Sequence, residues 1–372
     1  MSSKEVNRTE IAEIDCGIHK IVVGKGSVDL LEEFIRTKQN VFSDTFILAD
    51  ENTASFCVDA IASRINIPSN NIIVVEPGEK SKSLESLGKV IDQLARSGAD
   101  RNALLISLGG GVVCDLSAFA AAIYKRGIKY LHIPTSLLGM IDAGIGGKNG
   151  INVNGIKNVA GTFYPPEIVI VDPDFLNTLP KEEWLNGYAE MIKHELVGKA
   201  GWLMSDLQLD LSSGNFKVLS DQIENLIEDS IRIKSRLVNE DPYDVGVRQA
   251  LNLGHTIGHA IESASINSNH SLSHGRSVVA GTICELYISN KLLGFDDVEL
   301  KSITEYILKL FGTWPHVYEF KDQIISNLNF DKKRLGDEVI MTLLDKPGSP
   351  IIGKSVAASL IDESLEHYIG LT

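Results

Sequence analysis

Through the first half of the chain, short apolar runs rich in β-branched residues alternate with amphipathic stretches. Residues 20–23, 45–49, 71–75, 103–107, 129–133 and 167–171 read as strands. Most are close to continuously apolar, the pattern of strands covered on both faces. Between the early ones the spacing turns helical: over 83–96, Leu84, Leu87, Val90, Ile91 and Leu94 recur about one turn apart. This alternation predicts an open parallel α/β sheet. Past Asp172 the texture changes. Residues 182–197, 218–238, 248–263, 275–291 and 300–311 carry helical spacing, and 338–344 reads as a strand or edge ribbon. Pro173 and Pro180 punctuate the stretch between the two halves and place a domain boundary there. An α/β domain followed by a helical one leaves a cleft, a common place for a site.

Composition narrows the field without naming a function. The chain has 372 residues, 44% hydrophobic and 23% charged, an ordinary globular balance with length for two domains. A formal net charge of −14 argues against nucleic acid as a partner. An anionic substrate remains compatible if cations gather locally. Cys16, Cys57, Cys114 and Cys284 form no CxxC pair, which argues against a disulfide framework or a thiolate zinc site and suits a reducing compartment. The start, MSSKEVNRTE, is polar, so no secretory signal is expected. No apolar run approaches the roughly 18 residues of a membrane helix. A cytoplasmic protein is the expectation.

Several positions carry chemistry. Gly109, Gly110 and Gly111 follow the strand at 103–107 and open a helix near Val112. Glycines there let a pyrophosphate approach the backbone, and the helix N-terminus favours its charge. The run is not a GxGxxG fingerprint, and a plain tight turn accounts for it equally. Asp50 closes the strand at 45–49, where it fits either a ribose hydroxyl or the N-cap of the next helix. The polar segment from Gly78 to Ser83 reads on its own as a loop.

Arg248, Asn252, His255 and His259 fall at i, i+4, i+7 and i+11, so one helix over 248–263 would set them along a single stripe. Histidines four apart suit a metal, but the glutamate of HExxH is missing and a protease reading fails. Glu190, within 182–197, and His274, before 275–291, would complete one carboxylate and two imidazoles, a set that leaves a coordination position open for substrate. His194, one turn beyond Glu190, is a rival, and spacing leaves the third ligand undecided. Lastly, the run from Asp142 to Asn149, with Lys157 and Asn158 beyond it, combines dense glycine with two lysines and two asparagines. That suggests a phosphate-clamping loop; a surface loop is the blander reading.

Taken in order, GGGVVCDLSAFAA at 109–121, PTSLLGMIDAGIGGKNGIN at 134–152, KNVAGTFYPP at 157–166, AEMIK at 189–193, RQALNLGHTIGHAIES at 248–263 and DKK at 331–333 make the sequence recognisable. Along nearly its whole length it resembles the 3-dehydroquinate synthases of the sugar-phosphate cyclase family. The resemblance implies a Rossmann-like, NAD-binding α/β domain over 1–175 and a mainly α-helical metal- and substrate-binding domain over 176–372, in a homodimer. It implies a zinc or cobalt ion held by Glu190, His255 and His274. Implied NAD contacts fall on Asp50, Glu79, Lys82, Gly110, Gly111, Val112, Asp115, Thr135, Ser136, Lys148, Lys157, Phe175 and Thr178. Implied catalytic and substrate contacts fall on Asp142, Lys148, Asn158, Lys193, Lys234, Arg248, Asn252, His259 and Lys333, with Arg126 expected to reach the partner subunit's site.

The implied substrate is 3-deoxy-D-arabino-heptulosonate 7-phosphate, whose phosphate and carboxylate suit the cations Arg126, Lys148, Lys193, Lys234, Arg248 and Lys333. His259 fits a proton relay near the phosphate, since an imidazole titrates near neutrality, or a plain hydrogen bond to substrate. Two positions depart from the family pattern. Arg276 and Ser277 follow His274-Gly275 where Glu-Ala is usual, putting a cation beside a metal ligand, and Asn149 replaces a usual threonine. Competing expectations are a sister cyclase acting on another sugar phosphate, a metal-dependent polyol dehydrogenase of the same architecture, and a non-catalytic relative supported only by Arg276.

Overall fold

The computed structural model describes residues 11–371 apart from 39–40, 155, 202, 204–215, 267, 331–333 and 336–337. The chain divides into two units: Met1–Leu179 with Ser220–Asn239, and Pro180–Leu219 with Glu240–Thr372.

In the first unit the described residues build a seven-stranded sheet from β1 (Ala12–Asp15), β2 (Lys20–Val23), β3 (Thr45–Asp50), β4 (Ile72–Val75), β5 (Leu104–Gly109), β6 (Lys129–Pro134) and β9 (Ile168–Val171). Its order is β1-β2-β9-β6-β5-β3-β4. Only the edge pair β1–β2 is antiparallel; the other neighbours run parallel. The continuous apolar runs follow from cover on both faces. Phe46 and Leu48 of β3 pack in one core with α4 (Leu84–Arg96) and α5 (Gly111–Ile123). Ile47 and Ala49, the alternate residues, pack in another with α1 (Leu30–Thr37) and α3 (Asp59–Ile65), which lies beyond the single turn α2 (Glu51–Thr53). The glycine-rich run becomes a hairpin rather than a loop from Lys148 onward: β7 (Lys148–Val153) pairs antiparallel with β8 (Ile156–Phe163). Ser220–Asn239, within α7 (Phe216–Glu240), also belongs to this unit.

The second unit is mainly helical: α6 (Lys181–Gly198), α8 (His255–Ser265), α9 (His274–Leu293), α10 (Asp297–Phe311), α11 (Val317–Phe330) and α12 (Ala358–Ile369). A small antiparallel sheet joins β10 (Arg334–Leu335), β11 (Glu338–Lys346) and β12 (Ser349–Ala357), so the late apolar run is a strand. Helix α9 is buried nearly all round because α6, α8, α12 and β11 pack against it. Among the described residues no helix is long and apolar enough to cross a membrane.

One expected element differs. Residues 248–263 do not form a single helix: a short 3-10 segment, Val247–Asn252, ends at Leu253, and α8 starts afresh at His255. Gly254 between them has φ +76°, and a Cβ on it would fall 2.2 Å from Thr282 Oγ1 and 2.8 Å from the Val278 carbonyl oxygen. The chain breaks its helix to press backbone against α9, and the four-residue stripe is divided into two.

Candidate active site

In the first unit, β5 and β3 are parallel neighbours, yet the chain leaves β3 toward β4 on one side and β5 toward β6 on the other. Such a reversal opens a crevice outside the strand ends, the usual ligand place of an open α/β sheet. Asp50 ends β3 and Gly109 ends β5. Gly110 is the N-cap of α5, with no side chain to satisfy the first amides. A Cβ on Gly110 would stand 3.1 Å from Ser136 Oγ, and one on Gly111 would stand 3.1 Å from the Ala143 Cβ. Bare backbone at a helix N-terminus over a switch point fits a dinucleotide pyrophosphate. Thr135 and Ser136 continue this floor, the Thr135 amide donating to the Gly109 carbonyl at 3.0 Å. Asp50 takes the capping role: its Oδ1 accepts from the Thr53 amide at 2.8 Å.

Around this crevice the structure ties several expected residues together. Lys82, which is buried, pairs with Asp115 on α5. Burial pushes the Asp115 carboxyl up while Lys82 pulls against it. Asn152 of β7 donates to Glu79 Oε1 at 2.7 Å and accepts the Asn158 amide at 2.9 Å. The polar segment 78–83, expected only to be a loop, is thereby attached to the hairpin. Asn149, one of the two departures, is buried and clamps β7 to β8: its Oδ1 accepts from the Thr162 amide at 3.1 Å and hydroxyl at 2.8 Å. Asp142 lies in the helical turn Gly139–Ala143, where Lys234 of α7 pairs with its carboxylate and donates to its carbonyl at 2.6 Å. Val112 lies in the first turn of α5, while Phe175 and Thr178 lie in the short helix Pro173–Thr178 after β9. Lys148, Lys157 and Arg126 present exposed side chains.

In the second unit, α6 brings Glu190 to a point with no solvent exposure. His255 is the first residue of α8 and His274 the first of α9. Their Nε2 atoms lie 3.5 and 3.4 Å from one oxygen, Glu190 Oε1. Ligands held at about 2.0–2.1 Å in a tetrahedron stand about 3.3–3.4 Å apart, which is the spacing of each imidazole nitrogen from the shared carboxylate oxygen here. The other ring nitrogens are engaged. His255 Nδ1 meets the Leu253 carbonyl at 3.1 Å, and His274 Nδ1 meets Glu262 Oε2 at 3.4 Å. With each Nδ1–H donating, each Nε2 is left to ligate. His259, one turn along α8, sets its ring 5.0 Å from that of His255 and 5.8 Å from that of His274. His194, buried on α6, also places a ring nitrogen within 4.8 Å of a Glu190 carboxylate oxygen, so by distance it stays a rival ligand.

Charge around the trio is dense. Lys193 pairs with Glu190, both out of solvent. Burial, then Lys193, pushes His255 down to about 3, with Glu190 opposing. Burial also acts to lower His274, but hydrogen bonds to Glu190 and Glu262 outweigh it and raise that ring to about 9. Arg248 is buried, its amide donating to Asp241 Oδ2 at 3.2 Å and its guanidinium to the Pro242 carbonyl at 2.9 Å. Asn252 ends the 3-10 segment before α8. Lys333 lies outside the described residues. Arg276, the second departure, does not turn on the trio: its guanidinium bonds Glu182 at 3.3 and 3.4 Å and the Phe311 carbonyl.

Sequence reasoning passed over Glu262, the Leu253 carbonyl and the buried Glu285. Glu262 was findable, since it stands seven residues after His255 on the same helical face.

The family model described as 3-dehydroquinate synthase N-terminal matches residues 72–186, and its C-terminal counterpart matches 187–334. A 3-dehydroquinate synthase of Parabacteroides distasonis is 39% identical over 349 residues, covering 94% of this chain and 97% of that protein. Among solved structures, a 2-deoxy-scyllo-inosose synthase complexed with carbaglucose-6-phosphate, NAD+ and Co2+ aligns with a TM-score of 0.82 at 23% identity, covering 96% of this chain and 99% of its own. A 2-epi-5-epi-valiolone synthase from Streptomyces hygroscopicus subsp. jinggangensis, with NAD+ and Zn2+ bound, aligns at 0.80 and 23% over 97% and 99%. At that identity these two structures establish the shared fold.

Proposed function

The chain belongs to the 3-dehydroquinate synthase family, and on that premise we propose that it converts 3-deoxy-D-arabino-heptulosonate 7-phosphate to 3-dehydroquinate and inorganic phosphate. It does so as a phosphate-eliminating carbon–oxygen lyase of the shikimate pathway, acting in the cytoplasm as a homodimer with NAD and one divalent ion resident. The observation that carries the reading is the convergence of two imidazole nitrogens, 3.5 and 3.4 Å away, on one buried oxygen of Glu190.

When bound, NAD would supply a hydride acceptor and donor for the substrate's C5, and the ion a Lewis acid for the C5 oxygen. The residues of the chain prepare those events. Glu190, His255 and His274 hold the ion, Glu262 and the Leu253 carbonyl keeping both imidazoles as Nε2 donors. Gly110, Gly111 and Val112 offer backbone to the pyrophosphate, and Asp50 takes a ribose hydroxyl. Glu79, Lys82, Asp115, Thr135, Ser136, Lys157, Phe175 and Thr178 complete the NAD contacts. Lys193, Arg248 and Asn252 bind the substrate's polar groups, as do Asp142, Lys148, Asn158 and Lys234; Lys333 and the partner's Arg126 add cations. His259 moves the proton beside the leaving phosphate. Arg276 is engaged by Glu182 and the Phe311 carbonyl, which favours the catalytic reading over a non-catalytic relative.

The test is an assay with the heptulosonate phosphate, NAD and Co2+, following inorganic phosphate and absorbance at 340 nm together. Phosphate release without accumulating NADH is the expected result, and His255→Ala should abolish it while NAD still binds. Steady NADH production would instead mark a dehydrogenase and overturn the reading.

A further inference from the structure

Both imidazoles of the metal trio sit at helix N-termini, an unfavourable place for a cation. A helix start carries about half a positive charge and several amides without intrahelical partners. For α8 the difficulty is acute, because its N-cap is Gly254, which has no side chain to accept from those amides. Glu285, a little past the middle of α9 and without solvent exposure, does what a capping residue would do. Its Oε2 accepts from the Gly254 amide at 2.6 Å and its Oε1 from the Ile257 amide at 3.1 Å. A carboxylate from a neighbouring helix thus caps α8 and lowers the positive potential at His255.

A second contact gives this cap a direction. The Leu253–Gly254 peptide donates its N–H to Glu285 and presents its C=O to His255 Nδ1 at 3.1 Å. Carboxylate, peptide group and imidazole form one chain of hydrogen bonds that ends at Nε2, the atom facing Glu190. Each bond in such a chain polarises the next. An anion pulling on the N–H makes the carbonyl a better acceptor, and a better acceptor at Nδ1 makes Nε2 a better donor to a metal. From this arrangement, and resting on the metal role proposed above, we propose that Glu285 is a positioning residue for His255. It holds and polarises the one peptide that aims this ligand.

The experiment uses the full-length chain, stripped of metal, with Co2+ as the probe. Glu285→Gln keeps the shape but turns a donor toward one of the two amides. It should weaken Co2+ binding by about 10–100-fold in competition with a chromogenic chelator, the range for residues that orient a ligand. At saturating Co2+ its visible d–d band should shift, a change that lowered stability alone does not produce. Amide exchange at Gly254 and Ile257 should accelerate while NAD affinity stays that of the unaltered protein. Should Glu285→Gln not fold, Glu285→Asp, which retains the charge with a shorter reach, is measured instead, with a smaller loss of affinity expected. Co2+ affinity within twofold of the unaltered protein and an unshifted band would overturn the proposal. If the unaltered protein binds Co2+ no more tightly than His255→Ala, it is the metal reading that fails.

Discussion

Lys193 and Glu190 are buried together, with side-chain exposures of 2% and 0%, and two charges out of solvent are tolerable only while each compensates the other. Glu190 also faces His274, whose ring burial acts to lower but hydrogen bonds to Glu190 and Glu262 raise to about 9. A divalent ion held by Glu190 would lie close to the Lys193 ammonium as well. At an effective dielectric of about 20, an ammonium and a divalent ion about 5 Å apart would repel by about 6–7 kcal/mol. Lys193→Met, close in volume, should therefore tighten metal binding at least about tenfold while turnover collapses for want of a substrate cation. Chelator competition reads the first and phosphate release the second; a weaker metal affinity in the variant would refute the argument. At this scale the sequence was only partly legible. His194 stands one turn from Glu190 and fourteen of the eighteen residues of α6 are buried, so neither spacing nor burial separates the ligand candidates on that helix. Only the family resemblance implies Glu190 rather than His194. Glu285 was out of reach because its partners are backbone amides freed by a helix break, which no pattern of side chains announces.

That break belongs to the helix pair α8–α9. A Cβ on Gly281 of α9 would fall 2.2 Å from the Gly254 carbonyl oxygen and 2.5 Å from the Gly258 amide nitrogen. The two helices therefore touch backbone to backbone, with His255 and His274 at their starts. Gly281→Ala has no flexible side chain to displace and must push the helices apart. It should cost about 3 kcal/mol in urea unfolding, the upper range for overpacking, and lower metal affinity by separating the two imidazoles. Gly294→Ala is the contrast. That residue caps α9 at φ +77° with no atom within 4 Å, so the cost should be about 1 kcal/mol of backbone strain with metal binding retained. Equal metal affinity in both variants would mean that the helix contact does not set the ligand spacing. The helices themselves were readable from apolar periodicity. The interruption was not, since a glycine within a helical pattern ordinarily reads as a tolerated interior residue, and only the partner helix shows why this one cannot be anything else. The parallel strands were readable to within a residue or two because their two-sided burial leaves an unbroken apolar run.

Across the whole molecule, the alternation of strand and helix showed where the sheet lies, but the periodicity of α7 could not show that Ser220–Asn239 packs with the sheet-bearing unit; the contact from Lys234 to Asp142 is invisible in sequence distance. The core of that unit also contains a group that ties global stability to pH. His132, in β6, sits edge-on to Tyr130 at 5.0 Å between ring centroids and is 3% exposed. Burial, reinforced by nearby His19, pushes the ring from 6.5 down to about 3. Above pH 6.5 neither the folded nor the unfolded chain holds this proton, and the group contributes nothing to the pH dependence. As the pH falls below 6.5 the unfolded chain binds the proton while the folded ring refuses it until about 3, so stability drops by about 1.4 kcal/mol per pH unit across that window. His132→Leu removes the slope and keeps an apolar side chain of similar volume in the sheet. Between pH 7 and pH 5, in chelator, the unaltered protein should lose about 2 kcal/mol more than the variant in urea unfolding. His255, pushed down to about 3 as well, is present in both proteins and cancels from the difference. Identical losses in the two proteins would show that the acid sensitivity of the fold arises elsewhere.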